Sequence, residues 1–399
     1  MIIAVGVILL AQLLAPAAGS IAVTVDPDPV PGLVVGVFEE NVPEDIEAYV
    51  EGWGEVMDEG EYLPWVAVET DNVPLAIANL RSHPENERAR QAQWAYLDHV
   101  PNDPEWDEQW GLPTVGFEEA WDTTLGSQLV SVAIVDSGIS THVDLTGNLC
   151  GPHLTIDPFG GSPLSDSLPH GTHVAGIVAA MTDNGEGVAG ASQSCLMSMK
   201  VFSRVHYGSE DIFSFYVAEA IAAATASGAD IINLSLHTSG APQLLMDAID
   251  AAWGAGVLLV AAAGNRGCPG PDSFTVNYPA YDGHVIAVSA LTAPGEELAG
   301  FSSCGSAVEL TAPGEDILST LPGGYGELSG TSMSSPMVAG LAALVWSVDV
   351  LLTNAQVRCI LIATAQDIGE PGHDPYFGFG RIDAAQAVQA AEDPASVGC

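Results

Sequence analysis

The chain has 399 residues, 51 of them Asp or Glu against 8 Lys or Arg, for a formal net charge of −43. A polyanion of that density repels phosphate backbones and anionic membrane surfaces, which argues against nucleic acid as a partner. With 48% apolar residues and 43 glycines it has too much to bury to be an acidic disordered tail, and its length suits one large α/β domain plus a smaller unit.

At the start, Met1 to Ala18 are almost uniformly apolar and end in the small residues Ala17, Ala18 and Gly19. That pattern predicts a signal peptide over 1–19 and hence a secreted, extracellular protein. No Lys or Arg precedes the run, which leaves an uncleaved membrane anchor as the alternative. Residues 20–98 then change character. Runs 32–38 and 65–70 are strand-like, while 43–53 and 74–81 have helical spacing, an order that predicts a small α+β unit with its own sheet. This stretch carries 17 acids and three bases, Arg81, Arg88 and Arg90, leaving 34 acids and five bases on 99–399. The charge is therefore not confined to one part. Residues 101–111 are rich in proline and acid and predict a linker into a new domain.

From there, short apolar runs at 129–135, 196–202, 231–236, 257–263 and 285–291 have the continuous hydrophobicity of parallel strands buried on both faces. Helical stretches at 170–181, 213–227 and 242–253 lie between them. The alternation predicts an α/β fold, a mostly parallel sheet flanked by helices. Six cysteines, at 150, 195, 268, 304, 359 and 399, show no CxxC spacing and no histidine clustering, which argues against zinc. In an exported chain an even number favours disulfides. Buried unpaired thiols are the alternative, and fifteen pairings are open.

Three motifs carry chemistry. Val135-Asp136-Ser137-Gly138 places an acid where a buried strand ends, the edge at which open α/β sheets gather reactants. His170-Gly171-Thr172-His173-Val174-Ala175-Gly176 opens a helix with a histidine in its first turn, and Gly330-Thr331-Ser332-Met333-Ser334 opens another with a serine at its N-terminus. A serine hydroxyl is a weak nucleophile until an imidazole takes its proton, and a carboxylate holds that imidazole in the useful tautomer. Ser332 also sits where free N–H groups can hold an oxyanion, and Asn265, after the run 257–263, offers a second donor. His173, one turn further on, reads as structural.

These motifs, in this order and with these separations, resemble the subtilisin family (subtilases) of secreted serine endopeptidases made with a pro-domain. The likeness extends from about Pro101 to Ala390. It implies a subtilisin-like fold, with an inhibitory pro-domain over 20–98, a linker and mature N-terminus at 99–111, a catalytic domain at 112–393 and a short tail at 394–399. By position, Asp136 orients, His170 is the base, Ser332 attacks and Asn265 holds the oxyanion. No cofactor is required for the chemistry.

The resemblance also implies a substrate edge along Asn233-Leu234-Ser235-Leu236-His237. Ser235, Leu236 and His237 then border the pocket for the residue before the scissile bond. The family usually has glycine where His237 stands, so His237 either narrows the cleft or is a plain surface residue. Arg266, after the oxyanion asparagine, is implied at the pocket rim, where it favours an acidic substrate residue or is neutralised by a nearby acid.

A structural calcium is the family's usual partner. Asp144 and the loop Thr182-Asp183-Asn184-Gly185 offer oxygens for one, although the loop is short. Other implied partners are polypeptide substrates and the chain's own pro-domain, with a monomer as the default. Cys268 and Cys304 flank the run 285–291, and Cys150 and Cys195 adjoin segments able to neighbour in the sheet, which suggests those pairs and leaves Cys359 with Cys399. A silent subtilase fold used for binding is the alternative function. The overall negative charge predicts a raised His170 pKa.

Overall fold

The computed structural model describes residues 23–38, 46–50, 55–59, 65–83, 86–97, 99–157, 161–203, 210–238, 240–270 and 275–399, so the expected signal peptide at 1–19 lies outside the described residues. The chain divides into two compact units, Met1–Val100 and Pro101–Cys399.

The first unit is built on four strands, β1 (Val23–Phe38), β2 (Glu55–Glu59), β3 (Trp65–Glu69) and β4 (Asn86–Leu97), in the antiparallel order β2-β3-β1-β4. Helices Ile46–Val50 and Val73–Ser82 accompany them. Val66 and Val68 of β3 share one face because side chains alternate along a strand, and they form a core with Val34, Ile46, Val50, Ala76 and Leu80. Asn72 caps the second helix by accepting the Leu75 N–H at 3.2 Å. The sequence pattern finds β1, β3 and both helices but passes over β2 and β4. Both are the outer strands of the sheet, where one side stays unpaired and charge is tolerated, so the acidic run of β2 has no apolar signature.

The second unit has the α/β architecture. Its main sheet contains β5 (Ser131–Asp136), β6 (Leu154–Thr155), β7 (Cys195–Lys200), β8 (Ile231–Leu234), β9 (Leu258–Ala262), β10 (Val285–Thr292), β11 (Glu297–Leu298) and β12 (Val308–Pro313). The order is β11-β10-β9-β8-β5-β7-β6, with β12 also paired to β10, and every pairing but β10 with β11 is parallel. Strands β5, β7, β8 and β9 are buried along their whole length. Ala133 and Val135 of β5 pack with Val217, Ile221, Leu245 and Ile249 from helices Glu210–Ala226 and Gln243–Gly254. Val132 and Ile134, equally buried, face the opposite side of the sheet. Helices His170–Ala179 and Thr331–Val348 pack on each other and on the sheet. The latter is long and apolar enough to cross a membrane but is 83% buried within the unit, as a core helix is. A hairpin of β13 (Ile317–Leu321) and β14 (Gly324–Leu328) follows the sheet.

Residues 101–111 differ from the expected linker. Asp103, Trp106 and Gln109 are buried. The Asp103 carboxylate accepts the N–H groups of Asp183 and Asn184 at 2.9 and 3.4 Å, and Trp106 packs 5.4 Å from Trp121. The proline and acid that read as linker chemistry are here turn and capping groups of the second unit. Disulfides join Cys150 to Cys195, Cys268 to Cys304 and Cys359 to Cys399, the pairs suggested by the sequence. The last of them ties down the tail at 394–399.

Candidate active site

The site forms at the carboxyl end of the parallel strands. Asp136 is the last residue of β5 and is fully buried. Its Oδ1 accepts the Ser137 N–H at 2.6 Å, and both of its oxygens lie 2.9 Å from His170 Nδ1. The histidine helix comes this close because its second residue is glycine: a Cβ at Gly171 would stand 3.0 Å from Asp136 Cβ and Oδ1. An ionised carboxylate can only accept, so Nδ1 carries the proton and Nε2 is left with its lone pair as the base.

The His170 side chain is 28% exposed. Burial opposes protonation of the ring, but the charge and hydrogen bond of Asp136, with the Asp166 carboxylate behind, outweigh it and hold the imidazole above its ordinary range. The rise expected from overall charge is present, with a local cause. His173 differs in every respect: it is fully buried, its Nε2 donates to the Gly326 carbonyl at 3.0 Å, and burial pushes its pKa down to about 4.

Ser332 lies in the first turn of helix Thr331–Val348. Its hydroxyl donates to the Ser235 carbonyl at 3.2 Å, while the Ser235 hydroxyl donates to the Ser332 carbonyl at 2.8 Å. Among the described residues no hydrogen bond joins Ser332 to His170, so proton transfer between them first requires the hydroxyl to leave the Ser235 carbonyl. Catalytic contacts of this kind often tighten only when substrate binds.

Asn265 follows β9, and its Oδ1 accepts both the N–H and the hydroxyl of Thr331 at 3.0 Å. A backbone N–H is an unambiguous donor, so the atom facing it is the amide oxygen and the amide nitrogen points the other way. That nitrogen lies 3.2 Å, and the Ser332 N–H 3.6 Å, from the place a Cβ would occupy on Gly330. Glycine at 330 thus keeps open the space between two donors, as an oxyanion hole requires.

The other expected site residues are split. Ser235 and Leu236 are buried, with Leu236 in the core beneath β8. His237 and Arg266 are exposed. The Arg266 N–H donates to Ser303 Oγ at 3.2 Å, and among the described residues its guanidinium has no carboxylate partner. The structure adds residues that the sequence reading passed over. Asn233 donates from Nδ2 to Ser235 Oγ at 2.9 Å and accepts from Ser335 Oγ at 2.6 Å. Thr331 is fully buried and also accepts the Gly264 N–H at 3.0 Å. Thr331 and Ser137 lie inside the motifs already singled out.

The residues implied for calcium do not fit a cation. Asp144 Oδ1 accepts from Asn184 Nδ2 at 2.6 Å and Oδ2 from the Val188 N–H at 3.0 Å, and the Asn184 amide oxygen accepts the Glu186 N–H at 2.7 Å. Donors occupy the oxygens that calcium would need. Asp250, Asp282 and His284 place their ligand atoms within 4.8 Å of one another. There His284 Nδ1 bonds Asp250 at 2.8 Å while its ring stacks 5.4 Å from Trp253, a surface hydrogen bond laid on an aromatic.

The sequence profile of the subtilase family matches residues 127–380. Halolysin of Haloferax mediterranei is 38% identical over 354 residues, which cover 85% of this chain and 65% of halolysin, so the chain spans just under two thirds of that relative's length. Thermitase of Thermoactinomyces vulgaris is 38% identical over 300 residues, covering 73% of this chain and all of thermitase. Among solved structures, a protease of Pseudoalteromonas arctica superposes with a TM-score of 0.65 at 31% identity, covering 73% of this chain and 99% of that one.

Proposed function

The chain belongs to the subtilase family, and on that premise we propose that it is a secreted serine endopeptidase whose triad is Asp136, His170 and Ser332. The observation that carries this reading is the bond from His170 Nδ1 to both oxygens of buried Asp136, which leaves Nε2 as the base at the strand ends.

Ser332 Oγ attacks the carbonyl carbon of the scissile bond as Nε2 takes its proton. The carbonyl oxygen gains the negative charge between Asn265 Nδ2 and the Ser332 N–H. As the tetrahedral adduct collapses, the C–N bond breaks, Nε2 returns the proton to the departing amine and the acyl group stays on Ser332. Water then attacks the ester carbon, giving a proton to Nε2. The ester C–O bond breaks, the acid product leaves and Ser332 regains its proton.

A bound peptide lies extended against residues 233–237, bordered by Ser235, Leu236 and His237. Arg266 supplies a cation for an acidic substrate residue before the cleaved bond, since among the described residues no carboxylate pairs with it; equal cleavage of Glu and Leu peptides would discard that role. The segment 20–98 acts as a pro-domain, removed by the enzyme itself after secretion through the 1–19 signal. Polypeptides are the substrates, the enzyme is a monomer, and calcium has no place in the mechanism.

Expression of the wild type beside Ser332→Ala tests the reading. The wild type is expected to take up a fluorophosphonate and to show a new N-terminus near residue 101, while Ser332→Ala stays at full length and unlabelled. A wild type that is neither labelled nor processed would instead indicate a silent binding fold.

A further inference from the structure

Four residues before His170 stands a second acid, Asp166, which is 8% exposed and belongs to none of the three motifs. Its loop is fixed from several sides. The Pro163 carbonyl accepts the Ile139 N–H at 3.0 Å and Ser198 Oγ at 2.8 Å, and Lys200 Nζ donates to the carbonyls of Ser162 and Ser165. The Asp166 N–H donates to Ser140 Oγ at 3.0 Å. So placed, the carboxylate accepts the Leu168 N–H at 2.9 Å, the Thr172 N–H at 2.9 Å and the Thr172 hydroxyl at 2.8 Å. The two Thr172 bonds grip the first turn of the helix that begins at His170.

A fourth contact leads to the triad acid. Ser137 Oγ stands 2.9 Å from Asp166 Oδ1 and 3.1 Å from Asp136 Oδ1, and it accepts the Gly171 N–H at 3.0 Å. One hydroxyl proton therefore faces two carboxylates, while the same oxygen anchors the residue next to His170. Burying an acid is costly unless its contacts are satisfied. Here those contacts converge on the one histidine the chemistry uses.

We propose that Asp166 is a positioning residue of this active site: it clamps the first turn of the His170 helix and shares the Ser137 proton with Asp136, fixing the imidazole against its acid. The proposal rests on reading Asp136, His170 and Ser332 as a protease triad. It has an electrostatic side as well. Asp136 on β5 and Asp166 on the preceding loop are the carboxylates acting on His170. The group of opposite sign is Lys200 on β7, whose charge Asp166 supports, while His173 on the same helix is kept neutral by burial, with a pKa of about 4. Removing the Asp166 charge makes imidazolium less favoured, so the base becomes active at lower pH.

The test compares Asp166→Asn and Asp166→Glu on a peptide p-nitroanilide, with rates divided by the sites titrated with a fluorophosphonate. Asp166→Asn is expected to lower kcat per titrated site about tenfold with KM within about twofold, and to move the acid limb of kcat/KM to lower pH. Asp166→Glu, which keeps the charge, should hold the acid limb at its wild-type position. A purely structural acid would reduce the number of titrated sites without moving the limb, and an unmoved limb or an unchanged kcat in Asp166→Asn overturns the proposal. Should that variant fail to fold, Ser137→Ala removes the bridge with Asp166 in place; a similar loss of kcat supports the proposal and wild-type kcat overturns it. A wild type that the fluorophosphonate never labels sinks the triad reading itself, a result distinct from the others.

Discussion

At the scale of the residue, the site works through groups that fix one another's orientation. The two bonds from Thr331 settle which way the Asn265 amide points, so the nitrogen is presented before any substrate arrives. Asn265→Ala is expected to cost kcat about 10²–10³-fold with little change in KM, a range established on subtilisin, of the same family. Thr331→Val keeps the backbone bond but loses the hydroxyl, and a loss of about tenfold is expected from an amide freer to turn. Steady-state rates on one peptide measure both, and a full-strength Thr331→Val enzyme would show that the backbone bond suffices. Asp136, His170, Ser332 and Asn265 stand out in the sequence as a candidate set because the proposed chemistry demands those side chains beside Gly-rich helix starts. Thr331 and Asp166 do not, because each acts through another residue, and a Thr or Asp in a polar loop has many ordinary uses.

Among the elements, legibility followed burial in part, since buried β12 was passed over because Glu309 and Thr311 interrupt its apolar run. Strands β5 and β7 to β10 lie inside the sheet and read as apolar runs, whereas β2 and β4 lie at the edges of a small sheet and read as polar chain. Residues 101–111 misled for a related reason, since Asp103 is buried by virtue of the Asp183 and Asn184 N–H groups it caps, and no composition reveals such a partner. The loop 182–188 makes the same point about calcium. Because Asn184 and Val188 already satisfy Asp144, chelation with EDTA is expected to leave the melting temperature within about a degree. A fall of several degrees, restored by added calcium, would show a cation bound in place of those bonds. The three disulfides close stretches of 45, 36 and 40 residues, and each is expected to add about 2–4 kcal/mol by restricting the unfolded chain.

For the molecule as a whole, stability should depend on pH through its buried histidines. His173 has a folded-state pKa of about 4, below its ordinary value of 6.5, and burial shifts His142 and His153 the same way. An unfolded chain takes up protons near 6.5 that the folded one refuses, so this stability is complete above 6.5 and is lost as pH falls toward 4. For His173 alone the full loss is about 3 kcal/mol. Asp103 and Asp144 are shifted upward, chiefly by burial, and work in the opposite sense: their contribution is present below the ordinary carboxylate range and fades as pH rises. Urea midpoints should therefore drop between pH 7 and pH 5, and less steeply in His173→Leu. Equal slopes in the two proteins would remove His173 from the explanation.

The chain's only lysine, Lys200, is 2% exposed and holds the Ser162 and Ser165 carbonyls. Among the described residues, amine-directed reagents therefore meet no exposed lysine while the fold is intact. If the leading segment is removed as proposed, each cleavage creates a fresh α-amine. A single conjugation would report where the processed chain begins and would tether it to a surface at one point, away from side chains. Any second acylation would be a chemical clock for unfolding, since Lys200 reacts only when β7 has left the sheet.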